Sequence, residues 1–353
     1  PDSKSDLFAC FIEKGIHLSK AGGYNCMVTM QSWMFLSSFE KMREKMLAQY
    51  TITNLMHMEN MVMGIAFGTA VSIFRKNFLR GYKGTYNQIK LQDVENGEPT
   101  IFPVMSNRFA QVSSTNFSKI PGSPVAYWVS ENFVRAFESK KIGDYVLART
   151  GMQTGNNKVY IRLWWESVDV DICFYAKNHI IAIESNKKWY PYNKGGEYRK
   201  WYGNNEYIVN WENAGEKIMG KAQQEGHHVQ DYPIELKFKP LVTWSLITSS
   251  IPSFRYKESC INDIAGMSYW DINNNDMLMY ILGICNTKIA MIMLNMIAPT
   301  INFQTGDISR IPVIKNDNEK SMIDNLVQEN IALSKADWDS FETSWDFEGH
   351  PLM

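Results

Sequence analysis

Five cations and six aromatic rings crowd into residues 187–203 of this 353-residue chain. The cations are Lys187, Lys188, Lys194, Arg199 and Lys200, and Glu197 is the one acid among them. The rings are Trp189, Tyr190, Tyr192, Tyr198, Trp201 and Tyr202. Pro191 and the pair Gly195-Gly196 interrupt any regular helix or strand there. A basic, aromatic loop of this kind can pair its cations with phosphates and lay its rings on nucleobases. The same residues also suit a solvated loop whose rings plug the edge of a core, because aromatic side chains bury large apolar areas. Composition leaves both readings open.

Further stretches carry recognition chemistry. Residues 150–165 open as a Gly- and Asn-rich turn and run into a strand. Gln153, Asn156 and Asn157 offer amides of the kind that read base edges, and Lys158 and Arg162 offer phosphate contacts. A plain hairpin turn would use the same Gly and Asn residues. Residues 245–256 lead to Arg255, expected to be exposed, and residues 298–312 read as a connecting loop. Catalytic constellations are sparse. The sequence has no G-x-x-x-x-G-K-[ST] loop, no G-x-G-x-x-G turn after a strand, no H-E-x-x-H helix and no G-x-S-x-G elbow. Gly64 and Gly68 have the wrong spacing for a phosphate loop, and the acid pairs Asp169/Asp171 and Asp337/Asp339 read as solvated surface charge.

The elements that position these residues follow from hydrophobic spacing. Residues 7–19 repeat apolar side chains at helical intervals, with Asp6 as N-cap. Residues 24–30 read as a buried strand, a helix follows from Ser37 or Ser38 to Leu47, and residues 51–56 and 67–74 read as strands. This alternation is the mark of an α/β layer, though three strands and two helices are only a fragment of one. Residues 81–109 suggest a hairpin region turning at 95–98, and residues 116–122 a loop. A helix over 125–140 would turn Trp128, Phe133 and Phe137 inward; a second would run over 276–296, and residues 317–334 form a polar helical segment. A domain boundary is placed near Lys141.

Bulk properties narrow the classes. With 45% hydrophobic residues the chain can build a core, and its length suits two or three domains. A net charge of −1 supplies no overall basic field, so any attraction to nucleic acid must be local. The five cysteines, Cys10, Cys26, Cys173, Cys260 and Cys285, are scattered without a C-x-x-C pair, which argues against a disulfide framework or Cys-rich zinc site and fits a reducing cytoplasm. His227-His228 is a poor candidate for metal ligation, being far from any cysteine. The polar, Met-less start reads as a cut, and the apolar run 277–297 reads as a buried helix rather than a membrane span, because Asn286, Lys288 and Asn295 interrupt it.

Several of these segments together resemble a known family. Residues 6–14, 22–36, 116–131 (NFSKIPGSPVAYWVSE), 154–164 (TGNNKVYIRLW), 187–213 and 335–347 are similar to adenine-specific DNA methyltransferases of the TaqI-like class, in particular the PglX type of BREX phage-exclusion systems. Residues 267–312 resemble target-recognition domains of TaqI-like enzymes and type I specificity subunits. The family's glycine-rich S-adenosylmethionine loop and its Asn-Pro-Pro-Tyr loop, which positions and stacks the flipped adenine, occur nowhere in this sequence.

The resemblance implies an α/β fold with four parts. Residues 1–85 would be the trailing strands and helices of a Rossmann-like methyltransferase sheet, and 86–141 a connecting region. Residues 142–316 would be a mixed α+β target-recognition domain, and 317–353 a helical tail. It further implies double-stranded DNA as partner, a separate N-terminal catalytic half that binds S-adenosylmethionine, and other phage-defence proteins. This chain alone would be inactive. Phe67 is the candidate for stacking on the target base. The expected DNA contacts are Gln153, Asn156, Asn157, Lys158, Arg162, Lys187, Lys188, Trp189, Tyr190, Lys194, Arg199, Lys200, Trp201 and Arg255. The competing reading is a non-catalytic module whose aromatic loop is a platform for a carbohydrate or a protein.

Overall fold

A computed structural model describes residues 2–96, 98–224, 230–248, 251–272, 276–298 and 302–352; His227 and His228 lie outside them. The chain divides into two compact units, Pro1–Ser139 with Asn295–Pro299, and Lys140–Leu294 with Thr300–Met353.

In the first unit the expected alternation is present. Helix α1 (Leu7–Leu18) buries Ala9, Ile12 and Ile16, one side of a 3.6-residue repeat. Strand β1 (Tyr24–Met30), helix α2 (Glu40–Gln49), and strands β2 (Thr51–Met58) and β3 (Thr69–Arg75) follow. β4 (Lys83–Ile89), the short ribbon β5 (Val94–Glu95) and β6 (Glu98–Pro99), β7 (Arg108–Ser113) and α3 (Glu131–Ala136) complete it. The main sheet has the order β1-β3-β2-β4-β7. β3 is antiparallel to both β1 and β2, so those two run parallel with a reversed strand between them.

The helix expected over 125–140 forms only at Glu131–Ala136. Val125, Ala126 and Tyr127 are buried in succession outside any helix. Instead the Val125 N–H donates to Met34 O. Tyr127 stacks on the buried Tyr86 ring at 5.1 Å and 12°, and Trp128 meets Tyr127 edge-on at 5.0 Å. Beneath this segment, Arg43 of α2 is buried and donates to Gly122 O, Trp33 O and Leu36 O.

The second unit contains two four-stranded sheets among the described residues. Its elements begin with β8 (Val146–Arg149), α4 (Asn157–Tyr160), β9 (Ile161–Leu163), α5 (His179–Glu184), β10 (Trp189–Asn193), β11 (Tyr207–Asn210) and α6 (Glu212–Gln224). β12 (Leu241–Ser245), β13 (Arg255–Lys257), β14 (Ile261–Asn262) and β15 (Gly266–Asp271) follow. Helices α7 (Leu278–Cys285), α8 (Lys288–Ile297), α9 (Thr305–Ser309) and α10 (Lys320–Asp339) close the order. The sheets run β14-β10-β11-β9 and β13-β12-β15-β8.

The single helix expected over 276–296 is two, bent by 78°. Asn286 causes the break. Its side chain accepts from Phe254 N and donates to Phe254 O, and Thr287 Oγ1 then accepts the Ala290 N–H as a new cap. No single helix among the described residues is long and apolar enough to cross a membrane.

Replacing Arg43 by Leu removes the donor from one buried and two part-buried carbonyls, so urea unfolding of the variant will show a loss of about 3 kcal/mol. A loss below about 1 kcal/mol would show that those carbonyls find other donors.

Candidate nucleic-acid interface

Residues 187–203 do not form one exposed loop. Their first third is β10, every residue of which is buried. β10 lies between β11 and β14, and β14 reaches only Tyr192 and Asn193, which leaves Pro191 one side without a ladder. Tyr190 is 2% exposed and its hydroxyl donates to Ala182 O at 2.7 Å. The Tyr192 hydroxyl sits 2.9 Å from Asp263 Oδ2 and 3.1 Å from Met152 O. Trp189 is 8% exposed and packs with Ile172 and Ile208. Trp189 and Tyr190 are therefore core residues and not stacking surfaces. Four apolar-bodied side chains, followed by Asn193 with its amide hydrogen-bonded to Thr243 Oγ1 and Asn262 Oδ1, satisfy a strand covered on both faces.

After β10 the chain enters an irregular segment, 194–206, and the cations around it also turn inward. Arg255, expected at the surface, is 0% exposed. Its Nη1 donates to Arg199 O and Ser253 Oγ, and its Nη2 to Ser245 Oγ. Lys257 Nζ donates to Gly203 O at 2.9 Å, Asn204 O at 2.8 Å and Asn205 Oδ1. Burial pushes the Lys257 ammonium down to about 7 and the Arg255 guanidinium to about 10. A backbone with no strand partner needs buried donors for its carbonyls, and these two side chains supply them.

Other expected phosphate ligands are engaged as well. The Arg199 guanidinium lies 5.0 Å over the Trp338 ring and pairs with Asp337 at 2.9 Å. Lys200 Nζ donates to Asn286 O, and Lys187 Nζ to Val170 O. Trp201 is half-buried, with a left-handed φ of 70°; its N–H donates to Phe254 O and its carbonyl accepts from Tyr256 N. Lys194 is half-buried over the Tyr207 ring at 5.3 Å.

What remains outward is a connected track. Gln153 is exposed on a loop clamped at Met152, whose N–H donates to Asn262 O. Gly151 makes that approach possible: a Cβ there would stand 2.2 Å from Asp263 O. Thr154 Oγ1 donates to Asn157 Oδ1, leaving the Asn157 amide N–H groups for another acceptor; Asn156 is half-buried ahead of α4. Lys158 is exposed, and its carbonyl accepts from Arg162 Nη1. The Arg162 guanidinium and Lys188 Nζ both stand over the Trp189 ring, at 5.9 and 5.4 Å. None of Lys158, Arg162 and Lys188 has a carboxylate within ion-pair distance among the described residues.

In the first unit, Phe67 is 45% exposed in the connection between β2 and β3 and lies outside the strand expected from residue 67. Nearby chemistry that the sequence did not suggest centres on His57, near the end of β2. His57 Nδ1 is 3.0 Å from the Tyr127 hydroxyl, its Nε2 meets Gln31 Oε1, and its ring stacks on Trp128 at 6.4 Å. An amide oxygen only accepts, so the proton sits on Nε2 and the Tyr127 O–H donates to Nδ1. Burial lowers the His57 imidazole to about 4, which keeps it neutral near pH 7. An open pocket beside it is lined by Gln31, Phe35, His57, Glu59, Gln88 and Trp128. The available signal was a lone histidine in an apolar strand just ahead of Glu59-Asn60.

Two outcomes follow from these placements. The unfolded chain protonates His57 near 6.5 while the native state resists until about 4. Its contribution to stability is therefore lost as pH falls through that window, by about 3 kcal/mol. Urea titrations at pH 7 and pH 4 will show this component, and a His57→Asn variant will lack it. Arg199→Ala will lower the thermal midpoint while leaving duplex DNA affinity unchanged; a variant as stable as the parent but weaker on DNA would return Arg199 to the interface.

Comparison with known proteins places this geometry. Residues 1–62 match the family model described as Eco57I restriction-modification methylase. The whole chain is 35% identical, over 367 residues, to 30% of the adenine-specific methyltransferase PglX of Lacticaseibacillus casei (strain Zhang). It is also 35% identical, over 362 residues and again along its whole length, to 28% of the adenine-specific methyltransferase BrxX of Escherichia coli O9:H4 (strain HS). In fold, 98% of the chain resembles 46% of the Type IIL restriction-modification enzyme MmeI, solved in complex with DNA, with a TM-score of 0.59 at 12% identity. By sequence, then, the chain is similar along its whole length to part of the adenine-specific methyltransferases PglX and BrxX, and it spans less than a third of their length.

Proposed function

We propose that this chain is the DNA-reading portion of an adenine-specific DNA methyltransferase, with the last strands of the catalytic sheet attached. The observation that carries the reading is the track Gln153, Asn157, Lys158, Arg162 and Lys188, whose cations have no carboxylate within ion-pair distance among the described residues of a chain homologous to such enzymes. Phosphates would meet Lys158, Arg162 and Lys188, while Gln153 and the free amide of Asn157 would meet base edges. The burial of Trp189, Tyr190, Tyr192 and Tyr202 takes four of the six rings out of any flat platform for a carbohydrate or a protein.

The first unit supports the other half of the proposal. β1 and β2 run parallel with β3 reversed between them, and β1 stands at the sheet edge. Further strands, carrying the glycine-rich and Asn-Pro-Pro-Tyr loops, would continue the sheet beside β1. The pocket beside His57 and the exposed ring of Phe67 both follow β2 and would face the extruded adenine. S-adenosylmethionine would bind in the parent enzyme. The residues here do not make up its site, because the sequence has no G-x-G-x-x-G turn after a strand.

Fluorescence anisotropy on duplex DNA across a salt series tests the reading. Binding should weaken linearly in log[salt], and Lys158→Ala and Lys188→Ala should each reduce the slope by about 1. Gln153→Ala should change the preferred sequence and leave the slope intact. An unchanged slope in the Lys158/Lys188 double variant would refute the track.

A further inference from the structure

The inward pull on the segment after β10 has a counterpart on its outer side. Gly195 O and Glu197 O accept from Asn204 Nδ2 at 3.2 and 3.0 Å, and Gly196 O accepts from Ser245 Oγ at 2.7 Å. Three successive carbonyls are thus held by side chains beneath them, the buried Asn204 and the half-buried Ser245. These peptide bonds are trans, and a planar trans peptide aims its N–H opposite to its C=O. The N–H groups of Gly196, Glu197 and Tyr198 therefore point away from the interior, and none has an acceptor among the described residues. All three residues are exposed.

The shape depends on glycine. Gly195 and Gly196 have φ of 81° and 113°; a Cβ would stand 2.9 Å from Ala265 O at the first and 2.7 Å from Asn204 Nδ2 at the second. Beneath the loop lies Arg255, fully buried, with no carboxylate in ion-pair distance among the described residues. Its guanidinium polarises the peptide groups whose oxygens face it, which strengthens the donors on their far side. Lys194 adds a cation on the same loop, and the exposed Glu197 and the half-buried Glu206 are its opposing charges.

We propose that the N–H groups of Gly196, Glu197 and Tyr198 form a backbone cradle for a phosphate of the DNA strand, charged from behind by Arg255. Three consecutive outward N–H groups make a concave anion site, and such groups fix the register of a protein on a duplex without reading sequence. The cradle rests on the DNA-binding reading above but uses none of the side chains in the track. Phosphate contact at residues 196–198 then comes from the backbone and not from the neighbouring Arg199 and Lys200, whose side chains are engaged elsewhere.

Amide spectra of the deuterated, 15N-labelled full chain test it, with inorganic phosphate and then a duplex as probes. Downfield, saturable shifts of the Gly196, Glu197 and Tyr198 amides with both probes are expected. If duplex binds and shifts amides near Gln153, Lys158 and Lys188 but not these three, the cradle is refuted while DNA reading stands. If phosphate alone moves them, the site is an adventitious anion site and the proposal fails. If the duplex shifts nothing and anisotropy shows no binding, the DNA reading fails and the cradle with it.

Discussion

Two buried cations stand under the irregular segment between β10 and β11, and the surface of the second unit depends on them. β13 is only three residues long, and its period of two puts Arg255 and Lys257 on one face with Tyr256 on the other. That face meets the carbonyls of Arg199, Gly203 and Asn204. Burying a charge is costly, and here the return is geometric: an ammonium has three donors and meets three oxygens, and charged donors make the shorter, stronger bonds. Neutral side chains would leave part of this backbone unsatisfied. The depressed ammonium of Lys257 reflects the cost, and the fixed course of residues 194–206 reflects the gain.

The same segment is gripped from the C-terminal side. Trp338 of α10 lies under the Arg199 guanidinium, and Ser334 Oγ donates to Lys200 O. Lys335 pairs with Asp339 and Asp346 and lies over the Tyr202 ring at 5.1 Å. The acids Asp337 and Asp339, which look like solvated charge in the sequence, are both members of these pairs. A recognition surface held by such contacts is displayed from a rigid base, which lowers the ordering cost on binding.

The first unit was largely legible, and the second was not, for a physical reason. α1 and β1 lie where periodicity put them, and β2 and the helix before it shift by two or three residues, because each presents one pattern to one environment. Residues 187–203 carry conflicting patterns. Pro191 hid a strand, since a proline normally marks an interruption, yet the side chains on either side are those of a strand buried on both faces. Lysine and arginine also say nothing about direction. Lys158 and Lys188 face solvent, while Arg255 and Lys257 face carbonyls, and only the pairing of β13 with β12 decides which. Of the His57 cluster only the lone histidine showed, because Gln31 and Tyr127 lie 26 and 70 residues from it.

The position of β1 has a practical consequence. It is the outermost strand of its sheet, and Tyr24 and Val28 are 60% and 58% exposed along it. An open edge with aromatic and β-branched side chains is a template for strand addition between molecules. Charge does little to blunt it, since its seven residues, YNCMVTM, include no ionisable acid or base other than Tyr24 and Cys26. Concentrated preparations of this chain will therefore tend toward edge-to-edge aggregation.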